Sequence, residues 1–149
     1  MVHISGELDW SEVSAARDAL PESVQVRYHA YPYLHDEMGA AMAAADVVVC
    51  RAGASTLGEF PYFGLPSILV PYPYAWRYQK VNAEWLAQRG AALVVEDGNL
   101  TERIVPMVRE LLTDTQQREA MAAAARELAQ PQAAQHLAEL LLALGRGLQ

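Results

Sequence analysis

Apolar positions along the chain fall into short β-branched runs separated by longer stretches with helical spacing. The short runs predict strands at Val2–Ser5, Val24–Tyr28, Val47–Cys50, Ser67–Pro71 and Ala92–Glu96. Residues 45–50 (Ala-Asp-Val-Val-Val-Cys) and 67–71 (Ser-Ile-Leu-Val-Pro) are nearly continuous in apolar character, which suits parallel strands covered on both faces. Helices are predicted between the strands at 9–20, 36–45, 54–64 and 77–89. Only helical signals follow the last strand. Thr101 opens one helix, Asp114 or Thr115 a second, and Pro131 sits in the first turn of a third. Arg89-Gly90 reads as a helix stop. Alternating strand and helix gives an α/β, doubly wound parallel sheet. Pro61 breaks the local rules, so the 54–64 helix either ends near Phe60 or is kinked there.

Composition narrows the class. A chain of 149 residues with 52% apolar and 19% charged residues has the material for one core, which excludes global disorder. A net charge of −7 argues against nucleic acid as a partner. The single cysteine allows no internal disulfide and suits a reducing cytoplasm. Cys50 ends an apolar strand and reads as core rather than nucleophile. The histidines at 3, 29, 35 and 136 lack metal-ligand spacing, so no metal is expected. No apolar run approaches transmembrane length, and the first residues lack a signal-peptide pattern.

The most informative stretch is Cys50-Arg51-Ala52-Gly53-Ala54-Ser55-Thr56-Leu57-Gly58-Glu59, which follows a strand and opens a helix. Ligands of doubly wound sheets sit at the carboxyl ends of strands, where helix N-termini favour phosphate. Gly53 allows close backbone approach, and Ser55 and Thr56 either cap the helix or meet phosphate oxygens. Glu59 lies one turn beyond Ser55. It can accept hydrogen bonds from vicinal sugar hydroxyls or act as a capping-box partner. The stretch is neither a Walker motif, because Glu59 follows Gly58, nor a nucleophile elbow, because Leu57 stands where glycine is needed.

The next strand leads into Pro71-Tyr72-Pro73-Tyr74-Ala75-Trp76-Arg77-Tyr78-Gln79-Lys80-Val81-Asn82. Gln79 and Asn82 share a helix face near its start, which suits sugar hydroxyl and acetamido groups or simply a solvated helix start. Arg77 and Lys80 meet phosphate or balance surface charge. Seven of the twelve aromatic residues lie between Phe60 and Tyr78. A core accounts for Phe63 or Tyr72. Tyr74, Trp76 and Tyr78 flank a proline-rich loop and mark an interface with a domain, a partner or a membrane surface.

Taken with Gly64-Leu65-Pro66, Val70-Pro71, Arg77-Tyr78-Gln79, Asn82-Ala83 and Gly90-Ala91-Ala92, residues 45–59 resemble a known family. It is the C-terminal domain of the glycosyltransferase family 28 enzymes that add N-acetylglucosamine to lipid-linked muramoyl-pentapeptide in peptidoglycan synthesis. The resemblance implies a Rossmann-like domain that forms the donor-binding half of a GT-B fold. It places Glu59 on the ribose hydroxyls of UDP and Ala54, Ser55 and Thr56 at the diphosphate, with Arg51 and Gly53 also among the substrate-binding residues. It further places the backbone near Leu34, His35 and Met38 on uracil, with Gln79 and Asn82 at the N-acetylglucosamine. Some members carry two adjacent glutamines where this chain has Tyr78-Gln79, so only Gln79 transfers directly.

By the same resemblance the chain is expected to be the donor domain alone, without the acceptor-binding N-terminal domain and without its own first strand. A central strand missing from the usual order leaves unpaired edges. The sheet is then expected to close the gap, swap a segment with another chain or self-associate. The family also implies a peripheral place on the inner face of the cytoplasmic membrane, a lipid-linked acceptor reached through the absent domain, and no cofactor. Alternatives are a non-catalytic UDP-sugar-binding subunit with a membrane partner, or a GT-B enzyme with another acceptor.

Overall fold

A computed structural model describes residues 1–74 and 77–147. The chain divides into two compact units, Met1–Ala44 and Ala45 onward. In the first, β1 (Val2–Ile4), α1 (Trp10–Asp18), α2 (Glu22–Gln25), β2 (His29–Tyr31) and α3 (Met38–Ala43) follow in order. β1 and β2 pair in parallel, His3 opposite Ala30. In the second unit, β3 (Val48–Cys50), α4 (Thr56–Phe63), β4 (Ser67–Leu69), α5 (Tyr78–Ala87) and β5 (Ala92–Val94) alternate. A 3₁₀ turn at Asp97–Asn99 leads to α6 (Leu100–Thr113), α7 (Thr115–Glu127) and α8 (Ala133–Gly147). The strands thus form two parallel sheets, β1-β2 and β3-β4-β5, rather than one sheet closed within the chain.

Several sequence expectations are corrected. Residues 24–28 form no strand. Pro21 starts a helical turn by accepting from the N–H groups of Val24 and Gln25 at 2.8 and 3.0 Å. The Gln25 amide then locks it by donating to the carbonyls of Asp18 and Leu20. The β2 ladder begins only at His29. The apolar run at 45–50 is not covered on both faces. Val49 is 42% exposed, on a strand that lies at the edge of its sheet beside β4. β4, the central strand, is buried along its whole length. Pro131 precedes α8 rather than lying in its first turn. Asp114 caps α7 as expected, its Oδ1 accepting from the Gln117 N–H at 2.9 Å.

Pro61 lies within α4, and the helix runs on to Phe63. Gly64, at φ 60°, then ends it. The Leu65 N–H reaches back to the Phe60 carbonyl at 2.9 Å and the Gly64 N–H to Pro61 at 3.0 Å. Buried Leu65 and Phe60 accompany this closure, which is the Schellman pattern. Gly90, at φ 76°, closes α5 in the same way through Ala91 to Leu86 and Gly90 to Ala87. Each closure delivers the chain into the next strand within three residues. The core gathers Ile68, Val70, Val95, Leu111 and Met121, with Val47, Leu93, Ile104 and Met107 against it. α8 contributes nothing to this cluster, and its Leu137, Leu140, Leu141, Leu142 and Leu144 are all exposed.

The two glycines differ in surroundings. A Cβ on Gly64 would lie 2.6 Å from Arg126 Cγ, whereas one on Gly90 would meet Ala124 Cβ at an ordinary 3.7 Å. Gly90→Ala is expected to cost about 1–2 kcal/mol, the left-handed strain alone. Gly64→Ala should cost more, because Arg126 must also move. Thermal denaturation of both variants checks the order, and an equal or inverted loss would refute the role of Arg126.

Candidate functional site

The parallel register of β3, β4 and β5 brings Cys50, Leu69 and Val94 into line. The ladder extends one residue further, with Val70 N–H donating to the Cys50 carbonyl and Val95 N–H to Leu69, both at 2.9 Å. Three loops therefore leave one edge of the sheet, at the carboxyl ends of its strands.

The first loop carries residues 51–55. Thr56 N–H donates to Gly53 at 3.3 Å and Leu57 N–H to Ala54 at 3.2 Å, closing the first turn of α4. Among the described residues the N–H groups of Gly53, Ala54 and Ser55 have no partner. Ala54 and Ser55 are exposed, and nothing lies within 4 Å of where a Cβ on Gly53 would stand. Successive free N–H groups at the positive end of a helix form an anion-binding nest. The Thr56 hydroxyl is buried and donates to the Gly53 carbonyl at 2.6 Å, so it holds the loop. Ser55 Oγ makes no capping bond. Glu59 is exposed, and among the described residues its carboxylate forms no hydrogen bond or ion pair, so the capping-box alternative is not adopted.

The second loop leads into α5. Tyr72 N–H donates to Gln79 Oε1 at 2.8 Å, which leaves the amide nitrogen as the free end of that side chain. Asn82 Nδ2 donates to the carbonyl of fully buried Ala52 at 3.0 Å, so this amide braces the first loop from α5. Arg77 enters α5 at φ 65°, a strained conformation for a non-glycine residue, directly before Tyr78-Gln79. Lys80 pairs with Glu84 at 3.8 Å and balances surface charge. Tyr72 is not core but 47% exposed, and Tyr74 and Tyr78 are the exposed aromatics expected of this loop. Trp76 lies outside the described residues.

The third loop supplies Asp97, which the sequence reading missed. Its carboxylate pairs with the Arg51 guanidinium. Arg51 Nη1 also donates to the Val70 carbonyl at 3.3 Å, and the guanidinium stands over the Tyr72 ring at 5.4 Å. No local pattern could have joined residues 51 and 97. In the first unit, Leu34 is buried, His35 is exposed with its ring 4.7 Å from that of Tyr33, and Met38 opens α3. Among the described residues no cluster of three or more His, Cys, Asp or Glu could hold a metal, and no helix is long and apolar enough to cross a membrane.

The model of the glycosyltransferase family 28 C-terminal domain matches residues 1–137. The chain belongs to this family. Its similarity to curated members is broad. It is 45% identical, over 95% of its length, to the UDP-N-acetylglucosamine–N-acetylmuramyl-(pentapeptide) pyrophosphoryl-undecaprenol N-acetylglucosamine transferase of Roseiflexus sp. (strain RS-1). It is 41% identical, over 98%, to the enzyme of the same name from Anaeromyxobacter sp. (strain Fw109-5). Among solved structures it superposes on MurG of Acinetobacter baumannii with a TM-score of 0.78 and 31% identity over 93% of the chain. It also superposes on the glycosyltransferase VinC, solved with dTDP, with a TM-score of 0.64 and 26% identity over 85%. The chain spans 36% and 38% of the two curated relatives and 40% and 28% of the two solved chains. A Rossmann-like family 28 fold accounts for the two parallel sheets and the strand-end loops described above.

Cys50 gives this edge a chemical probe. Burial, with the Glu59 carboxylate adding to it, pushes its thiol up to about 11 from an ordinary 9.0. Only the thiolate is nucleophilic, so alkylation at pH 8 should run about 100-fold slower than for a free cysteine. Glu59→Gln should speed it. The folded state holds this proton more tightly than the unfolded state, so the associated stability is full below pH 9.0 and is lost as pH rises toward about 11. Alkylation kinetics and alkaline melting curves test both statements; fast labelling of the folded chain at pH 8 would contradict them.

Proposed function

We propose that the chain is the donor-binding domain of an inverting N-acetylglucosaminyltransferase of peptidoglycan synthesis. The enzyme would move N-acetylglucosamine from UDP-N-acetylglucosamine to the lipid-linked muramoyl-pentapeptide, converting lipid I to lipid II. The observation that carries this reading is the row of N–H groups at Gly53, Ala54 and Ser55, unpartnered among the described residues, with the Glu59 carboxylate, likewise unpaired among them, one turn on. Free N–H donors suit a diphosphate, and a free carboxylate suits the hydroxyl hydrogens of a ribose diol. The names of the curated relatives and the dTDP held by VinC support a nucleoside-diphosphate sugar.

In this reading Glu59 takes the ribose hydroxyls, and the nest with Ser55 Oγ takes the diphosphate. Gln79 meets the sugar hydroxyls through its free amide nitrogen. The muramoyl C4 hydroxyl attacks the anomeric carbon from the face opposite UDP. The C–O bond to the diphosphate breaks as the new one forms, so the configuration inverts without a covalent enzyme intermediate. Preorganised N–H dipoles and the helix terminus stabilise the charge gathering on departing UDP. The acceptor site and the base belong to the remainder of the enzyme. With that remainder the domain works at the inner face of the cytoplasmic membrane, where the lipid acceptor lies.

Calorimetric titration with UDP-N-acetylglucosamine, UDP-glucose and UDP tests the reading. Binding is expected, with preference for the N-acetyl sugar, and Glu59→Ala should weaken all three ligands by about 1–3 kcal/mol. A folded chain that binds none of them, or a Glu59→Ala variant of unchanged affinity, would overturn it. The edges of two small sheets should also make the isolated chain associate with itself at high concentration. Sedimentation that finds only monomer across the concentration range would exclude such association.

A further inference from the structure

We propose that Arg51 is a positioning residue that sets the sugar-facing Gln79 through the Tyr72 loop, and that it is not a ligand of the diphosphate. The inference rests on the donor-domain reading and assigns specificity within that site. Arg51 follows the nest-bearing strand directly, where a cation invites assignment to phosphate. The hydrogen bonds it makes, both through Nη1, run to the other two loops. Nη1 faces the Asp97 carboxylate and the Val70 carbonyl, and the guanidinium carbon stands over the Tyr72 ring at 5.4 Å from its centroid. These partners come from the loops after β4 and β5, so one side chain ties together all three loops of the edge.

The tie ends on Gln79. A backbone N–H can bond only an acceptor, so the Tyr72 N–H fixes which end of the Gln79 amide points away from it. Moving Tyr72 therefore moves or turns the amide, without touching the Gly53–Ser55 nest. Standing over the ring while bonding a carboxylate and a carbonyl at once suits a multi-donor cation. Lysine keeps the charge but cannot do both. The tie thus predicts a separation of effects that a phosphate ligand would not show.

The test is titration of the full chain and of Arg51→Lys, Arg51→Ala and Asp97→Ala with UDP and with UDP-N-acetylglucosamine. All three variants are expected to leave UDP affinity unchanged while reducing the gain from the sugar about ten-fold. If Arg51 instead binds the diphosphate, Arg51→Ala weakens both ligands alike, Arg51→Lys recovers most of the loss and Asp97→Ala does not reproduce it; that pattern overturns the inference. A ligand-free readout stands beside it. Amide hydrogen exchange at Tyr72 should speed up in Arg51→Lys and Asp97→Ala, and unchanged exchange would also overturn the inference. Absence of UDP binding by the unsubstituted chain would refute the donor-domain reading, while the exchange measurement would still decide whether Arg51 holds the loop.

Discussion

The backbone ladder through Ser67–Leu69 is the constraint on which the second unit depends. β4 pairs on both sides, and its register aligns the carboxyl ends of three strands that are distant in sequence. Parallel pairing requires each connection to cross over the sheet, and α4 and α5 are those crossovers. Burial follows from the same position. Ile68 and Leu69 are fully covered, while Val49 and Val94 on the flanking strands keep a face toward solvent. A shift of one residue in this register would exchange the buried and outward sets and pull the three loops out of line.

The helix endings protect that register. α4 runs through Pro61, which withholds one backbone hydrogen bond two residues from its end, and Gly64 then turns the chain back on itself. Leu65 and Ala91, the residues just past each left-handed glycine, are both buried. Each therefore works as a hydrophobic latch on its helix as well as a lead into the next strand. The two closures set where β4 and β5 begin, and so how far the loops after them extend past the common edge.

Much of this was legible in local pattern. The runs at 47–50, 67–71 and 92–96 hold β3, β4 and β5, and the buried central strand β4 writes its apolar character continuously, while β3 carries the same pattern with Val49 exposed. The strand-to-helix turn at Gly53 was legible because its chemistry and its position coincide. Residues 24–28 misled because Val24, Val26 and Tyr28 alternate as a strand does, while Pro21 and the Gln25 amide impose a helical turn that periodicity cannot register. The tie from Arg51 to Asp97 was invisible for a different reason. It joins the loops after β3 and β5, and only the register of the sheet makes them neighbours.

What the edge can bind follows from which of its polar groups are already used. The Thr56 hydroxyl is committed to Gly53, Gln79 Oε1 to Tyr72, Asn82 Nδ2 to Ala52 and the Arg51 guanidinium to Asp97 and Val70. These bonds keep the loop backbone in place. Among the described residues the groups left without partners include the N–H groups of residues 53–55, Ser55 Oγ and the Glu59 carboxylate, with the Gln79 amide nitrogen at the start of α5. The remaining donors suit an anion, and the lone carboxylate suits a molecule that offers hydroxyl hydrogens nearby. A free phosphate would leave Glu59 without a role, and a neutral sugar would leave the nest without one. A ligand that joins a diphosphate to hydroxyl-bearing rings engages both.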